Sequence, residues 1–545
     1  MLDLWYKNAV IYCIDVQTFM DSSGEGIGDI NGLTHRLDHI AGLGVSCIWL
    51  MPFYPTPNRD EGYDILDYYD VDRRLGTPGD FVNFTRECRE RGIRIIIDLV
   101  VNHTSIDHPW FRAARLDPKS KYRQYYIWND QPPRDAADGV VFPGVQESTW
   151  SLDQQAGQYY YHRFYDHQPD LNVANSAVRE EIENIMGYWL ELGVSGFRLD
   201  AAPFLIELKG TNQTAQHDSY AYLRKVRDFL QWRRGDAIIL AEANVSLNEI
   251  LQYYGNGDRM HMLFGFLINQ YTFLAHAREN ADPLRHVFSI LPPIPSLSQW
   301  ATFLRNHDEL DLGRLTSTER NEVFQAFAPD ENMRLYRRGI RRRLAPMLGN
   351  DRRRLELAYA LIFSLPGTPV LFYGEEIGMG EDLGLSERIA VRTPMQWSAE
   401  PNGGFSTASP EKLIRPMIKG GDFGYENLNV TAQVHNPNSL LSRIGQVIRA
   451  RRGAPEFGWG HFHLVDVDTP AVMAHRCDWR GNAVLAVHNL SREPCEVTIK
   501  LPAQSSKELT DILADRQYPS LGPEDRRIPL SGYGYRWLRL EGTRR

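Results

Sequence analysis

Cysteine is scarce in this chain, with five residues in 545, at positions 13, 47, 88, 477 and 495. They are widely spaced and odd in number, which excludes a disulfide framework, and no C-x-x-C pair suggests zinc or redox chemistry. Long apolar runs are also lacking. No uncharged stretch approaches the roughly 18 apolar residues of a spanning helix, so no membrane segment is expected. The N-terminal stretch MLDLWYKNAVIYC carries Asp3 and Lys7 and holds no signal-type apolar run. Positive charge is not in excess: 60 Lys and Arg against 69 Asp and Glu leave a net charge of −9. That balance gives no electrostatic reason for a nucleic-acid or anionic-membrane partner. Internal repeats, low-complexity tracts and a Gly-rich phosphate loop are missing as well. What remains is a globular composition, 43% hydrophobic and 24% charged, long enough for two or three domains, with the cytoplasm as default compartment.

What the chain does have is alternation. Short apolar runs rich in β-branched residues occur at 9–19, 44–53, 93–102, 194–201, 237–244, 262–268 (weaker), 300–308 and 368–376, separated by amphipathic helical stretches. Near-continuous apolar strands between helices read as a covered parallel sheet. Eight of them in succession predict an α/β fold, a (β/α)8 TIM barrel, over a doubly wound sheet. From 104 to 172 the pattern gives way to a polar, aromatic, turn-rich insertion, too long for a bare loop and read as a lobe rising from the third strand. From about 453 alternation with turn signals predicts a C-terminal all-β sandwich. The expected domains are a barrel over 1–103 and 173–452, an inserted lobe over 104–172 and a sandwich over 453–545.

Chemistry-bearing residues gather where such a barrel places them, just after the C-terminal strand ends. The third run ends DLVVNHT with Asp98, Asn102 and His103; the fourth ends with Arg198 and Asp200; the fifth ends at Glu242; the seventh ends RNHDE with His307, Asp308 and Glu309. One acid at a barrel mouth is as often structural as catalytic. Several successive strands supplying acids and histidines to one rim are hard to explain by packing. A retaining glycosidase needs an ionised carboxylate as nucleophile and a protonated carboxyl as acid/base, about 5–5.5 Å apart. Arg198, two positions before Asp200, shares its strand face, and the neighbouring cation is expected to keep that aspartate ionised.

The segments DLVVNH, GFRLDAAP, LAEAN and LRNHDE, with QPDLN at 168–172, resemble in order and spacing the signature strands of the α-amylase superfamily of glycoside hydrolases, over about residues 5–450. The resemblance implies Asp200 as nucleophile, Glu242 as acid/base and Asp308 as the third, transition-state-stabilising acid. It implies that His103, His307, Arg198 and Gln168 hold the sugar. Asp60 is implied to pair with Arg392 of RTPMQW, and Tyr63 to stack on the glucose. Within the superfamily, GFRLDAAPFLIELKGTN, GIRRRLAPMLGNDRRRLEL and VRTPMQWSAEPNGGFS are most similar to the trehalose synthases, which interconvert maltose and trehalose, and Ala201 after the nucleophile fits that group. The stretch NVSLNEI after Glu242 departs from the Gln-Trp-Pro type, so a maltose-type hydrolase or α-glucosidase stays open beside the isomerase. Non-catalytic relatives need a membrane anchor and usually lost acids, and are set aside. Glu309 is a candidate for holding the acceptor sugar.

Metal expectations come from the same resemblance. DSSGEGIGD at 21–29 is similar to an oxygen-ligand calcium loop with Asp21, Ser23, Glu25 and Asp29; Ca2+ or Mg2+ there competes with a solvated turn. Asn102, Asp170 and Glu207, with the carbonyls of Phe204 and Leu205, match a Ca2+ position tying lobe to barrel; Asn102 and Asp170 are otherwise plain hydrogen-bond partners. No organic cofactor is expected, and the expected partner is a small α-glucoside, maltose or trehalose. The basic run 334–354 reads as the solvated face of a helix.

Overall fold

A computed structural model of the chain describes residues 4–207, 209, 219–499, 509–521 and 527–540. Eight strands run β1 Ile11–Ile14, β2 Cys47–Leu50, β3 Arg94–Leu99, β4 Gly196–Leu199, β5 Ile238–Ala241, β6 Met262–Phe264, β7 Gln299–Phe303 and β8 Thr368–Phe372. They form a closed barrel in chain order, every neighbouring pair parallel, with β1 sealing against β8 through Ile11 opposite Val370. Nearly every strand residue is buried, as apolar runs covered on both faces require.

The strands are shorter than the apolar runs that announced them. The first run turns into a short helix at Val16–Phe19, capped by Asp15, and the sixth becomes the helix Phe266–Arg278 two residues after β6. Outer helices begin where the side chains supply caps: Thr77 and Asp80 form a reciprocal capping box on Pro78–Glu90, Asn175 caps Ser176–Glu191, and Asp351 caps Arg352–Ser364.

After β3 the chain leaves the barrel and builds a small antiparallel sheet from Trp128–Asn129, Trp150–Asp153 and Gln158–Tyr161. It rejoins the barrel through the backbone bridge of His103 with Asp170 and the Leu171 N–H bond to the Asn102 carbonyl at 2.8 Å. At the C-terminal end, a five-stranded antiparallel sheet (His461–Leu464, Val472–Trp479, Asn482–Asn489, Tyr535–Leu540, Leu509–Ala514) faces the pair Cys495–Thr498 and Arg527–Leu530. Val472, Leu485, Val487, Val497, Ile528 and Leu538 fill the space between them. His475 bonds the Ser364 carbonyl at 2.9 Å, docking this domain on the barrel.

The basic run at 334–354 is not a helix face. Tyr336 and Arg337, at φ 52° and 61°, turn a hairpin between Arg334–Leu335 and Gly339–Ile340; only Leu344–Met347 and the residues from Arg352 on are helical. Several of its guanidiniums turn inward, while Arg337 and Arg353 stay exposed. Arg343, fully buried, donates to the carbonyls of Tyr373 and Val391, and Arg342 pairs with Glu381 at 2.7 Å. Cys13, Cys47 and Cys88 are buried packing residues with thiols pushed up by burial. Among the described residues no helix is long and apolar enough to cross a membrane.

Candidate active site

At the C-terminal mouth of the barrel lies a cavity of about 320 Å3, lined by Asp200, Glu242, Asp308, Asp60, Tyr63 and His103 together with Phe142 and Phe164 of the lobe. Its size suits a ligand of one or two sugar rings.

The floor is an ion network centred on Arg198. The guanidinium is 2% exposed and bonds Asp98 at 2.6 Å, Asp200 at 2.5 Å and Glu242 at 2.7 Å. Asp98 is itself fixed by the Trp49 indole N–H at 2.9 Å. Strand geometry explains the arrangement: Arg198 lies beside Asp98 in the β3–β4 register, and Glu242 follows β5 directly. With Nη1 on Asp200 and Nη2 on Glu242, one guanidinium gathers both carboxyls at one point, the pairing on which a retaining mechanism runs. Between them, Ala201 takes a left-handed conformation, φ 48°, and its N–H donates to Glu242 Oε2 at 3.2 Å. A β-branched residue there would be far more strained, which gives alanine a physical reason at this position.

The cation does not depress the pKa of Asp200, contrary to the expectation from its neighbour. Burial outweighs Arg198, and Asp98 and Asp308 push the same way, so Asp200 rises to about 6. Glu242 rises further, to about 7, again chiefly through burial, with Asp200 and Asp308 adding to it. Asp308 goes the other way. Despite its burial, His307, Arg388 and Arg392 hold it well below the usual carboxylate range. The three acids are thereby separated: one permanent anion, one carboxyl that keeps its proton near neutrality, and one that loses it first.

The remaining walls hold the expected residues, with one change of partners. Asp60 pairs with Arg388 at 2.9 Å and accepts from Gln168 Nε2 at 2.8 Å; it does not pair with Arg392. Arg392 instead donates to the His307 carbonyl at 2.8 Å and to Asp308 Oδ1 at 3.1 Å. The reason is reach: Arg388 stands on the short turn Glu387–Val391 above the cavity, while Arg392, 1% exposed, lies behind Asp308. Tyr63 stacks on His307 with ring centroids 5.8 Å apart and bonds its Nε2 at 2.7 Å. His103 faces the Tyr63 carbonyl at 3.0 Å, and burial lowers both histidines to about 4, so they are neutral rings. Arg198, His307, Gln168 and Arg392 thus stand just behind the lining and position it.

Beyond Asp308, Glu309 lines the cavity beside Asn244, Asp311 and Arg338, and burial raises it to about 7. At Gly339 a Cβ would fall 2.5 Å from Glu309 Cγ, so only glycine lets the hairpin press this close. Arg388, Asn244, Asp311, Phe142 and Arg338 escaped sequence reasoning. Arg388 had a signal, its place four residues before Arg392; Asp311 lies on a two-residue strand paired with Gly339–Ile340, and the others are loop residues that the fold brings inward.

The expected metal ligands find other partners. Asp21 accepts from the N–H groups of Ser23, Gly24 and Gly26 at 2.8–2.9 Å, and Asp29 caps Ile30–His35 through Gly32 N–H, while Glu25 is exposed. Asn102 and Asp170 do come together, 3.1 Å apart, but around Lys209, whose Nζ lies 2.5 Å from Asn102 Oδ1 and 2.6 Å from Asp170 Oδ2. Glu207 stands apart, bonded to Arg163. Phe204 and Leu205 belong to the short helix Ala202–Leu205, the ring of Phe204 lining the cavity.

Comparison with known proteins places this geometry. The alpha amylase catalytic domain matches residues 13–333 and 340–460, and a sucrose hydrolase-like C-terminal domain matches 481–539. The chain is 42% identical to trehalose synthase/amylase TreS of Mycobacterium tuberculosis, over 98% of this chain and 90% of that protein. It is 41% identical to trehalose synthase of Pimelobacter sp., over 98% and 96%. The solved trehalulose synthase MutB of Pseudomonas mesoacidophila superposes with a TM-score of 0.78 at 26% identity, covering 98% of this chain and 99% of that one. On the match of catalytic domain, relatives and barrel-mouth acids together, the chain belongs to the α-amylase family.

Proposed function

We propose that the protein is a retaining α-glucoside-active isomerase of the trehalose synthase type, interconverting maltose and trehalose through a covalent glucosyl–Asp200 intermediate. The observation that carries this reading is the single guanidinium of Arg198 holding Asp200 and Glu242 at the floor of a small, lobe-covered cavity. Between the two raised pKa values, Asp200 is ionised and Glu242 protonated, the state the first step needs. Asp200 attacks the anomeric carbon while Glu242 passes its proton to the glycosidic oxygen. A glucosyl ester and free glucose result. Asp308, kept anionic, stabilises the oxocarbenium-like charge in both steps.

In the second step the Glu242 carboxylate takes the proton of the attacking hydroxyl. If the retained glucose presents its anomeric hydroxyl, an α,α-1,1 link forms; if water attacks, glucose is lost. Retention therefore depends on closure. The lobe supplies it. Tyr165 of the lobe and Tyr336 of the hairpin both donate to Glu387, at 2.7 and 2.9 Å, with Phe142 packed against both rings at 4.7–4.8 Å. This latch favours the isomerase over the plain hydrolase. The chemistry runs on side chains alone, and the buried thiols suit a reducing cytoplasm.

The deciding experiment is incubation with maltose and assay of both products. An isomerase gives mostly trehalose with a minor glucose leak. Stoichiometric glucose with little trehalose at any maltose concentration would make the protein a hydrolase on the same three acids.

A further inference from the structure

The side chains expected to ligate a divalent cation between lobe and barrel already hold cations supplied by the chain. Three segments meet here: Asn102 follows β3, Asp170 lies in the lobe where it rejoins the barrel, and Glu207 and Lys209 lie in the loop after β4. Lys209 is 2% exposed and Asp170 fully buried, and Nζ also lies 3.2 Å from the Asn102 carbonyl oxygen. Its three ammonium protons thus face three oxygens, two from the barrel and one from the lobe. Arg163 completes the set. Its guanidinium bonds Glu207, donates to the Gly139 carbonyl at 2.8 Å and lies 4.8 Å over the Phe204 ring, and its backbone N–H donates to Asp170 Oδ1 at 2.8 Å.

Charge and donor orientation both speak against an added ion. Asp170 and Glu207 are balanced by Lys209 and Arg163, so a divalent cation would bring two uncompensated charges into a mostly buried site. The Asn102 amide turns its oxygen to Lys209 and its N–H to Asp170 Oδ2, whereas a hard cation binds through oxygen lone pairs. Among the described residues no group of three or more His, Cys, Asp and Glu is arranged to hold a metal.

We infer that Lys209, backed by Arg163, takes the place of a structural divalent cation at the lobe–barrel junction, so that this chain is held together there without calcium. The clamp acts one residue from the cavity wall, because His103 follows Asn102 and pairs with Asp170 across the backbone bridge.

The test uses the full chain and two readouts besides activity. Elemental analysis of purified protein after dialysis against calcium is expected to find well under one bound metal per chain, and EDTA is expected to leave Tm unchanged. Lys209→Ala, with no cation left on Asp170, is expected to show a lower Tm that added CaCl2 partly restores, a response absent from the wild type. A wild-type chain that holds one tight calcium, or whose Tm falls with EDTA and returns with calcium, would overturn the inference where Asp21→Asn, in the separate 21–29 loop, leaves that calcium or that response in place. These measurements decide it even if Lys209→Ala does not fold. A folded Lys209→Ala protein with wild-type Tm would also overturn it, by showing that the ammonium clamps nothing.

Discussion

Arg388 sits 3.0 Å from Asp308, and through its other terminal nitrogen it holds Asp60 at 2.9 Å. One cation therefore joins Asp308, the acid proposed to stabilise the transition state, to Asp60 on the same cavity wall. Arg388→Ala should lower kcat/KM for maltose about 100-fold or more, the scale of losing one charge-stabilising group at a reaction centre. Arg388→Lys should recover part of that loss but not all, because a point charge cannot span two carboxylates. Unchanged kinetics in the alanine variant would remove the bridge from the mechanism.

The pKa values of the catalytic pair predict a narrow bell. Asp200 must be ionised, so activity falls as pH drops through about 6; Glu242 must be protonated, so it falls as pH rises through about 7. The maximum in kcat/KM should lie between these limits, with apparent values that belong to the pair. Glu242→Gln should abolish turnover of maltose yet still be glucosylated by α-glucosyl fluoride, whose leaving group needs no acid. A flat profile from about pH 5 to about 9 would contradict the assignment.

Asp200→Asn should abolish turnover while keeping the fold. The sign of the stability change follows from the raised pKa. Stability present below the ordinary carboxylate value near 4 is lost as pH rises through about 6, because the fold disfavours the ionised form. An uncharged asparagine escapes that loss, so the variant's Tm near pH 8 should be no lower than wild type. Thermal melts at acid and alkaline pH separate this from simple misfolding.

Glu309→Ala and Tyr336→Phe address retention of the released glucose. The first removes a carboxyl from the cavity wall beside Asn244 and Asp311; the second removes one of two hydroxyls on Glu387. Both should raise the ratio of glucose to trehalose formed from maltose, and the second should do so with the initial rate of maltose consumption little changed. Equal product ratios in all three proteins would dissociate closure from product choice.

The barrel was legible because its strands are covered on both faces and so read as unbroken apolar runs. Their ends were not: Val16 and Phe266 are as apolar as strand residues, yet Asp15 and a glycine start helices at those points. The acids were legible because strand ends converge on one mouth. The partner of Asp60 was not, since choosing between Arg388 and Arg392 depends on which face of a short turn looks over the cavity. Lys209 carried no signal at all; a lysine beside Glu207 reads as a solvated pair until the loop after β4 folds inward. The arginines of 334–354 misled for the complementary reason, since several, Arg341, Arg342 and Arg343 among them, find carbonyls or carboxylates that only the tertiary structure supplies.

Closure of the barrel between β1 and β8 has a consequence for biosynthesis. The Thr368 hydroxyl donates to the Tyr6 carbonyl across 362 positions of sequence. At about 5–20 residues per second on the ribosome, the second edge of the first strand waits roughly 20–70 s for β8. Throughout that interval the growing sheet carries raw edges at β1 and at whichever strand was made last, the condition under which sheets join the wrong neighbour. The nascent chain thus carries open strand edges through most of its own synthesis.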